Sequence, residues 1–202
     1  MRKVALVGGP GIDRSGPAQV LAEAYDLTFI SAGDLLRGHV QHRTATGEQM
    51  DQYIRAGNLV PEELTATAIA DALAGVDGGW VLSGYPTTVG QAECLTRRGH
   101  QPDAVIELVL TEDEYGFVMR RWMELDPQQA ERQEEIMLRH SLYQERAEPL
   151  RAYYQARGMF QTTSGFGDYE DVAARLITIV SGACGRARRR LGSSARRLGC
   201  CR

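Results

Sequence analysis

Residues 4–19 read Val4-Ala5-Leu6-Val7-Gly8-Gly9-Pro10-Gly11-Ile12-Asp13-Arg14-Ser15-Gly16-Pro17-Ala18-Gln19. Four apolar residues without alternation predict a strand buried on both faces, and the glycines that follow predict a tight turn into a helix. A turn of this kind aims successive backbone N–H groups inward and ends at a helix N-terminus, a combination that holds phosphates. From Gly8 the spacing is Gly-x-x-x-x-Asp13-Arg14-Ser15, where the phosphate-binding pattern has Gly-x-x-x-x-Gly-Lys-Ser/Thr. Arg14 puts a planar fork where that pattern has a slim ammonium. Asp13 replaces a glycine, so it adds like-charge repulsion and makes a positive φ costly. Pro17 removes one more N–H from the first helical turn.

Outward from this turn, apolar runs alternate with helical patterns, the signal of a parallel sheet with crossover helices. Strands are predicted at 4–7, 27–30, 80–82, 105–110 and 159–162, and helices at 18–25, 34–39, 49–56, 62–74, 91–97, 113–121, 131–157 and 170–179, with Pro149 bending or breaking the long one. The 202 residues, 43% of them apolar, suit one domain. Residues 1–182 form it, with 16 basic against 26 acidic groups, while 183–202 carry seven Arg and no acid. This last stretch reads as a flexible basic tail. Lys3 is the one lysine, so any phosphate clamp is built from Arg. Cys94, Cys184, Cys200 and Cys201 have neither zinc spacing nor a disulfide framework. No run suits a signal peptide or a membrane span, which predicts a cytoplasmic protein.

Gly8 to Gln19, "LAEAYDLTFISAGDLLR", "IRAGNLVPEEL" at 54–64, "GYPTTVGQAE" at 84–93 and "LYQERAEPLRAYYQARG" follow in order over about residues 2–180. Together they resemble the adenylate kinase family of nucleoside monophosphate kinases. The resemblance implies an α/β P-loop fold: a five-stranded parallel sheet with helices on both faces, a helical acceptor-binding insertion at about 31–60 and a short lid at about 122–132. It implies ATP as donor, AMP or another nucleoside monophosphate as acceptor, and Mg2+. Gly8, Gly9, Gly11, Ile12, Asp13, Arg14, Ser15 and Gly16 fall at the donor loop, with Arg14 at the catalytic lysine. Ser31, Arg37, Asn58, Leu59, Val60, Gly84, Thr87 and Gln91 fall at the acceptor site, with Arg37 on its phosphate and Gln91 and Gly84 on adenine. Arg139 matches a catalytic lid arginine, and Asp34 lies near the metal through water.

The departures concern charge. Thr87 stands at a second acceptor-phosphate arginine, Ser83 at the carboxylate that orders the magnesium shell, and Gln128 and Trp122 at other nucleotide arginines. A charge-assisted hydrogen bond of the kind an arginine makes there contributes about 1.5–3 kcal/mol. Phosphoryl transfer is mostly positioning and electrostatics, so these positions favour a nucleotide-binding descendant of low or no activity. A working kinase that uses Arg14, Arg37 and Arg139 is the alternative, and a scaffold acting through the basic tail is a third. No specific nucleic acid, no membrane span and a monomer are expected.

Overall fold

The computed structural model describes residues 2–55, 60–125 and 133–195. Strand β1 (Lys3–Gly8) is central in a sheet completed by β2 (Thr28–Ser31), β3 (Trp80–Ser83), β4 (Ala104–Val109) and β5 (Phe160–Ser164). Their order is β2-β3-β1-β4-β5 and every pairing is parallel. The helices are α1 (Ser15–Tyr25), α2 (Ala32–Gln41), α3 (Ala45–Arg55), α4 (Glu62–Ala74), α5 (Val89–Arg97), α6 (Glu112–Leu125), α7 (Gln133–Gln155) and α8 (Tyr169–Ala195).

Alternate strand residues point to opposite faces, and each face is covered. Ala5, Val7, Trp80, Leu82 and Val105 pack with Ile69 and Leu73 of α4, Leu95 of α5, and Leu150 and Tyr154 of α7. Val4, Leu6, Val81, Ile106 and Leu108 pack with Leu21 of α1 and with Val172 and Leu176 of α8. Two buried layers therefore fix β1 rigidly, and its carboxyl end delivers the glycine turn to the edge of the sheet.

Several helix ends differ from the expectations drawn from sequence by a few residues, as where α3 starts at Ala45 and not at 49, and three differences have a physical reason or change an element's extent. Helix α1 starts at Ser15, because Pro17 falls in the first turn, where a missing N–H needs no intrahelical partner. Helix α7 carries Pro149 inside it without ending there. Ala147, Leu150 and Tyr154 on both sides of the proline are buried, so packing retains the helix despite the lost backbone bond. Helix α8 continues to Ala195 rather than stopping near residue 179.

Candidate nucleotide site

The turn after β1 is closed by its own side chains. Asp13 Oδ1 accepts hydrogen bonds from the backbone N–H of Ser15 at 3.0 Å and of Gly16 at 3.2 Å. These are first-turn donors of α1, the groups a phosphate would otherwise use. Arg14 folds back and donates through Nη1 to the carbonyls of Gly8 at 2.9 Å and Gly9 at 2.6 Å. Burial pushes this guanidinium below its ordinary pKa, against the opposing pull of Tyr143 and Asp13. Gly11 supplies the positive φ, 82°, that the turn requires. Residues 8–16, the sequence-predicted donor loop, thus form one turn whose first helical N–H groups are occupied by the Asp13 carboxylate.

Beside the turn lies a cluster that sequence reasoning missed. Glu107, 2% exposed on β4, receives Arg151 Nε at 2.7 Å and Arg151 Nη2 at 2.9 Å, and Tyr143 Oη donates to it as well. Burial and the carboxylate together push the Tyr143 phenol up, while the hydrogen bond to Glu107 raises the Arg151 pKa. A single acid inside the apolar run Val105-Ile106-Glu107-Leu108-Val109 was the available signal, since buried charges are almost always paired. Tyr143 also packs against Gly9, where an added Cβ would lie 3.3 Å from its ring. The cluster therefore ties α7 to the sheet directly below the turn.

On the other side, α2, α3 and α4 border an open apolar cleft of about 590 Å³ lined by Leu36, Arg37, Val40, Met50, Ile54 and Val60 among others. Its size falls within the roughly 300–1,000 Å³ of small-molecule sites. Ser31 caps α2 by accepting from the Asp34 N–H at 3.3 Å. Arg37 Nη2 meets Asp34 Oδ1 at 2.5 Å, and both side chains are exposed. The Ser31 hydrogen bond, followed by Arg37, holds the Asp34 carboxyl below its ordinary pKa. Thr88 caps α5 and donates to Glu62 at 2.7 Å, which fixes the start of that helix. Gln91 Oε1 accepts from the Thr87 N–H at 2.7 Å and from Thr87 Oγ1 at 3.1 Å. A backbone N–H only donates, so the amide orientation is determined, with Oε1 turned to Thr87 and the NH2 turned away from it.

The cleft thus unites Arg37 with Val60, whereas Gly84 and Thr87 border a different, smaller cavity beside Arg14. Gly84 donates to Leu6 O at 2.8 Å with φ 80°, which continues the β1–β3 edge in a conformation that glycine permits. Asn58 and Leu59 lie outside the described residues, as does most of the 122–132 stretch. Arg139 is on α7, with its side chain outside the described part of the structure.

The residues present do not fit a carboxylate-held divalent cation. Ser83 is neutral and buried at the end of β3, and Asp34 is engaged by Arg37. Among the described residues no group of three or more His, Cys, Asp or Glu is placed to hold a metal, and no helix is long and apolar enough to cross a membrane.

Comparison with known proteins agrees with this architecture. The family model described as adenylate kinase matches residues 6–159. The adenylate kinase of Thermobifida fusca (strain YX) is 35% identical over 185 residues, covering 87% of this chain and 96% of that protein. The adenylate kinase of Clavibacter michiganensis subsp. michiganensis is 33% identical over 188 residues, covering 90% and 94%. The glycine turn at the end of a central parallel strand, the apolar cleft beside it and similarity over nearly the whole chain agree, and the chain belongs to the adenylate kinase family.

Proposed function

We propose that this adenylate-kinase-like nucleotide-binding protein keeps the acceptor side of the family site and has lost efficient use of the donor side. Phosphoryl transfer from ATP to AMP, or to another nucleoside monophosphate, is then weak or absent. The observation that carries this reading is the Asp13 carboxylate on the N–H groups of Ser15 and Gly16, with Arg14 turned onto the carbonyls of Gly8 and Gly9. An incoming phosphate has to displace an internal anion before it reaches those donors.

On this reading Arg37 meets the acceptor phosphate, and Val60, Gly84, Gln91 and the Ser31 region hold the base and ribose. Residues 31–60 act as the acceptor insertion and 122–132 as the lid over it. Any residual turnover uses Mg2+ carried by the ATP phosphates themselves, because Ser83 offers no carboxylate and Asp34 is paired. Arg139 is the lid cation we assign to the transferring group. With both proposed nucleotide sites on one chain, no second copy is needed to complete either, which supports a monomer, and we place it in the cytoplasm. A coupled assay with ATP, Mg2+ and each monophosphate tests the reading, alongside calorimetry with AMP and ATP. AMP should bind more readily than ATP, and turnover within the usual enzyme range of about 1–10³ per second would overturn the proposal.

A further inference from the structure

Helices α1 and α8 start side by side and run in the same direction. A Cβ added to Gly16, in the first turn of α1, would lie 3.1 Å from the Cβ of Tyr169, the first residue of α8. At the other end the hydroxyl of Tyr25, the last residue of α1, hydrogen-bonds to the Ser181 hydroxyl and donates to the Ile177 carbonyl. Asp26 then takes the left-handed conformation and ends α1, while α8 goes on to Ala195. Its core residues are Val172, Leu176 and Val180, and Ser181 and Gly182 are exposed. Residues 182–195 carry the helix about 21 Å past the end of the partner it packs on.

The composition changes at the same point. After Asp171 the chain has no acid, and after Val180 it has no aromatic residue, Val, Ile or Met. At the helical spacing that continues Val172, Leu176 and Val180 stand Ala183, Ala187 and Leu191, so the stripe that fills the core gives way mostly to small residues. Arg186, Arg189 and Arg190 fall at i, i+3 and i+4, one face of a helix, with Arg188 on another. Four cations thus occupy about 6 Å of helix axis. They repel one another, and Gly182, Gly185 and Gly192 weaken the helix further, so an anionic partner is what would stabilise this extension.

A nucleic acid duplex carries one negative charge per about 1.7 Å, close to the spacing of this arginine run, and guanidinium groups grip phosphate oxygens in pairs. Lipid insertion needs bulky apolar residues beside the cations, and the large apolar residues of the segment are Leu191 and Leu198. Residues 1–182, with 16 basic against 26 acidic groups, repel a polyanion, so contact is confined to the arginine run. We propose that the distal part of α8 is a nucleic-acid-binding arm that holds the phosphate backbone without reading base sequence. Arg186, Arg188, Arg189 and Arg190 make the contacts, and Arg196, Arg197 and Arg202 add charge beyond them.

The test is fluorescence anisotropy of the full chain with two labelled DNA duplexes of about 20 base pairs and unrelated sequence, over a salt series. Both should bind alike within about twofold, and affinity should fall at least about a hundredfold between about 50 and about 200 mM salt, as four phosphate contacts require. A variant combining Arg186→Gln, Arg188→Gln, Arg189→Gln and Arg190→Gln should lose at least about tenfold in affinity at about 50 mM, and the slope of log affinity against log salt should drop by about 3 to 4. Its melting temperature should match the parent's, because the four positions lie past the core segment of α8 that ends at Val180. The proposal is overturned if neither duplex binds at about 50 mM salt, if binding ignores salt, or if the folded variant binds as the parent does. Binding to phosphatidylserine vesicles in the absence of duplex binding would assign the arm to a membrane surface and overturn it as well. So would a salt-sensitive dimer in sedimentation that the variant lacks, again without duplex binding, since the arm would then dock on the acidic body of a second copy.

Discussion

Asp13→Gly should raise ATP affinity, by an amount that follows from the geometry of the turn. In the parent, a phosphate must first release the two bonds from Ser15 and Gly16 to the carboxylate, at 3.0 and 3.2 Å. A helix-capping side chain of this type contributes about 1 kcal/mol. The displaced carboxylate stays nearby, and two unit charges about 4 Å apart in water repel by about 1 kcal/mol. Removing both effects amounts to about 2 kcal/mol, or roughly thirtyfold in dissociation constant. The same change removes the cap from α1, so the melting temperature should fall by about 2–4 °C. Arg14→Lys alone should do little, since the carboxylate remains and can pair with the new ammonium. The double variant should bind ATP more tightly than either single change, because the guanidinium clamp on Gly8 and Gly9 is gone as well. Calorimetry with ATP on the three variants decides the matter, and ATP affinity at the parent's level in all three would refute the idea of a self-occupied phosphate site. Turnover should stay absent from the double variant while Ser83 stands at the metal position.

Arg37→Ala should weaken AMP binding several-fold by calorimetry, since Arg37 is the cation lining the acceptor cleft. Arg151→Met should destabilise the fold by about 3 kcal/mol in urea unfolding, because it leaves a buried carboxylate unpaired, and adding Glu107→Gln should recover most of the loss. Burial depresses the pKa of both His100 and His140, so the unfolded chain takes up protons first as pH falls. Stability is therefore fully present above about pH 6.5 and declines below it, and His140→Phe should shrink the decline between about pH 7.5 and about pH 5.

The fold was legible because its signals are local. Runs such as Val4 to Val7 and Trp80 to Leu82 are apolar on both faces, and only a sheet covered by helices on each side satisfies that. Helix 62–74 was located to the residue, since proline precedes it and glycine follows. What could not be read depends on where side chains turn. Sequence showed that Asp13 is an acid in an anion's place, while folding shows that it satisfies the anion's donors itself. Arg14 likewise read as a clamp, and it is the turn's own carbonyls that it clamps. Arg151 drew no attention as one of many arginines on a helix, because its partner Glu107 is 44 residues away.

The carboxylate of Asp13 is, in effect, an inhibitor that cannot be diluted or washed away. A free competitor loses ground as ATP rises and its own concentration stays fixed. A tethered one competes at an effective concentration set by chain geometry, on the order of millimolar or higher for short connections. On the proposed function, donor binding is therefore attenuated by a constant factor at every protein concentration, and relief comes only from rearranging the turn, not from removing a ligand.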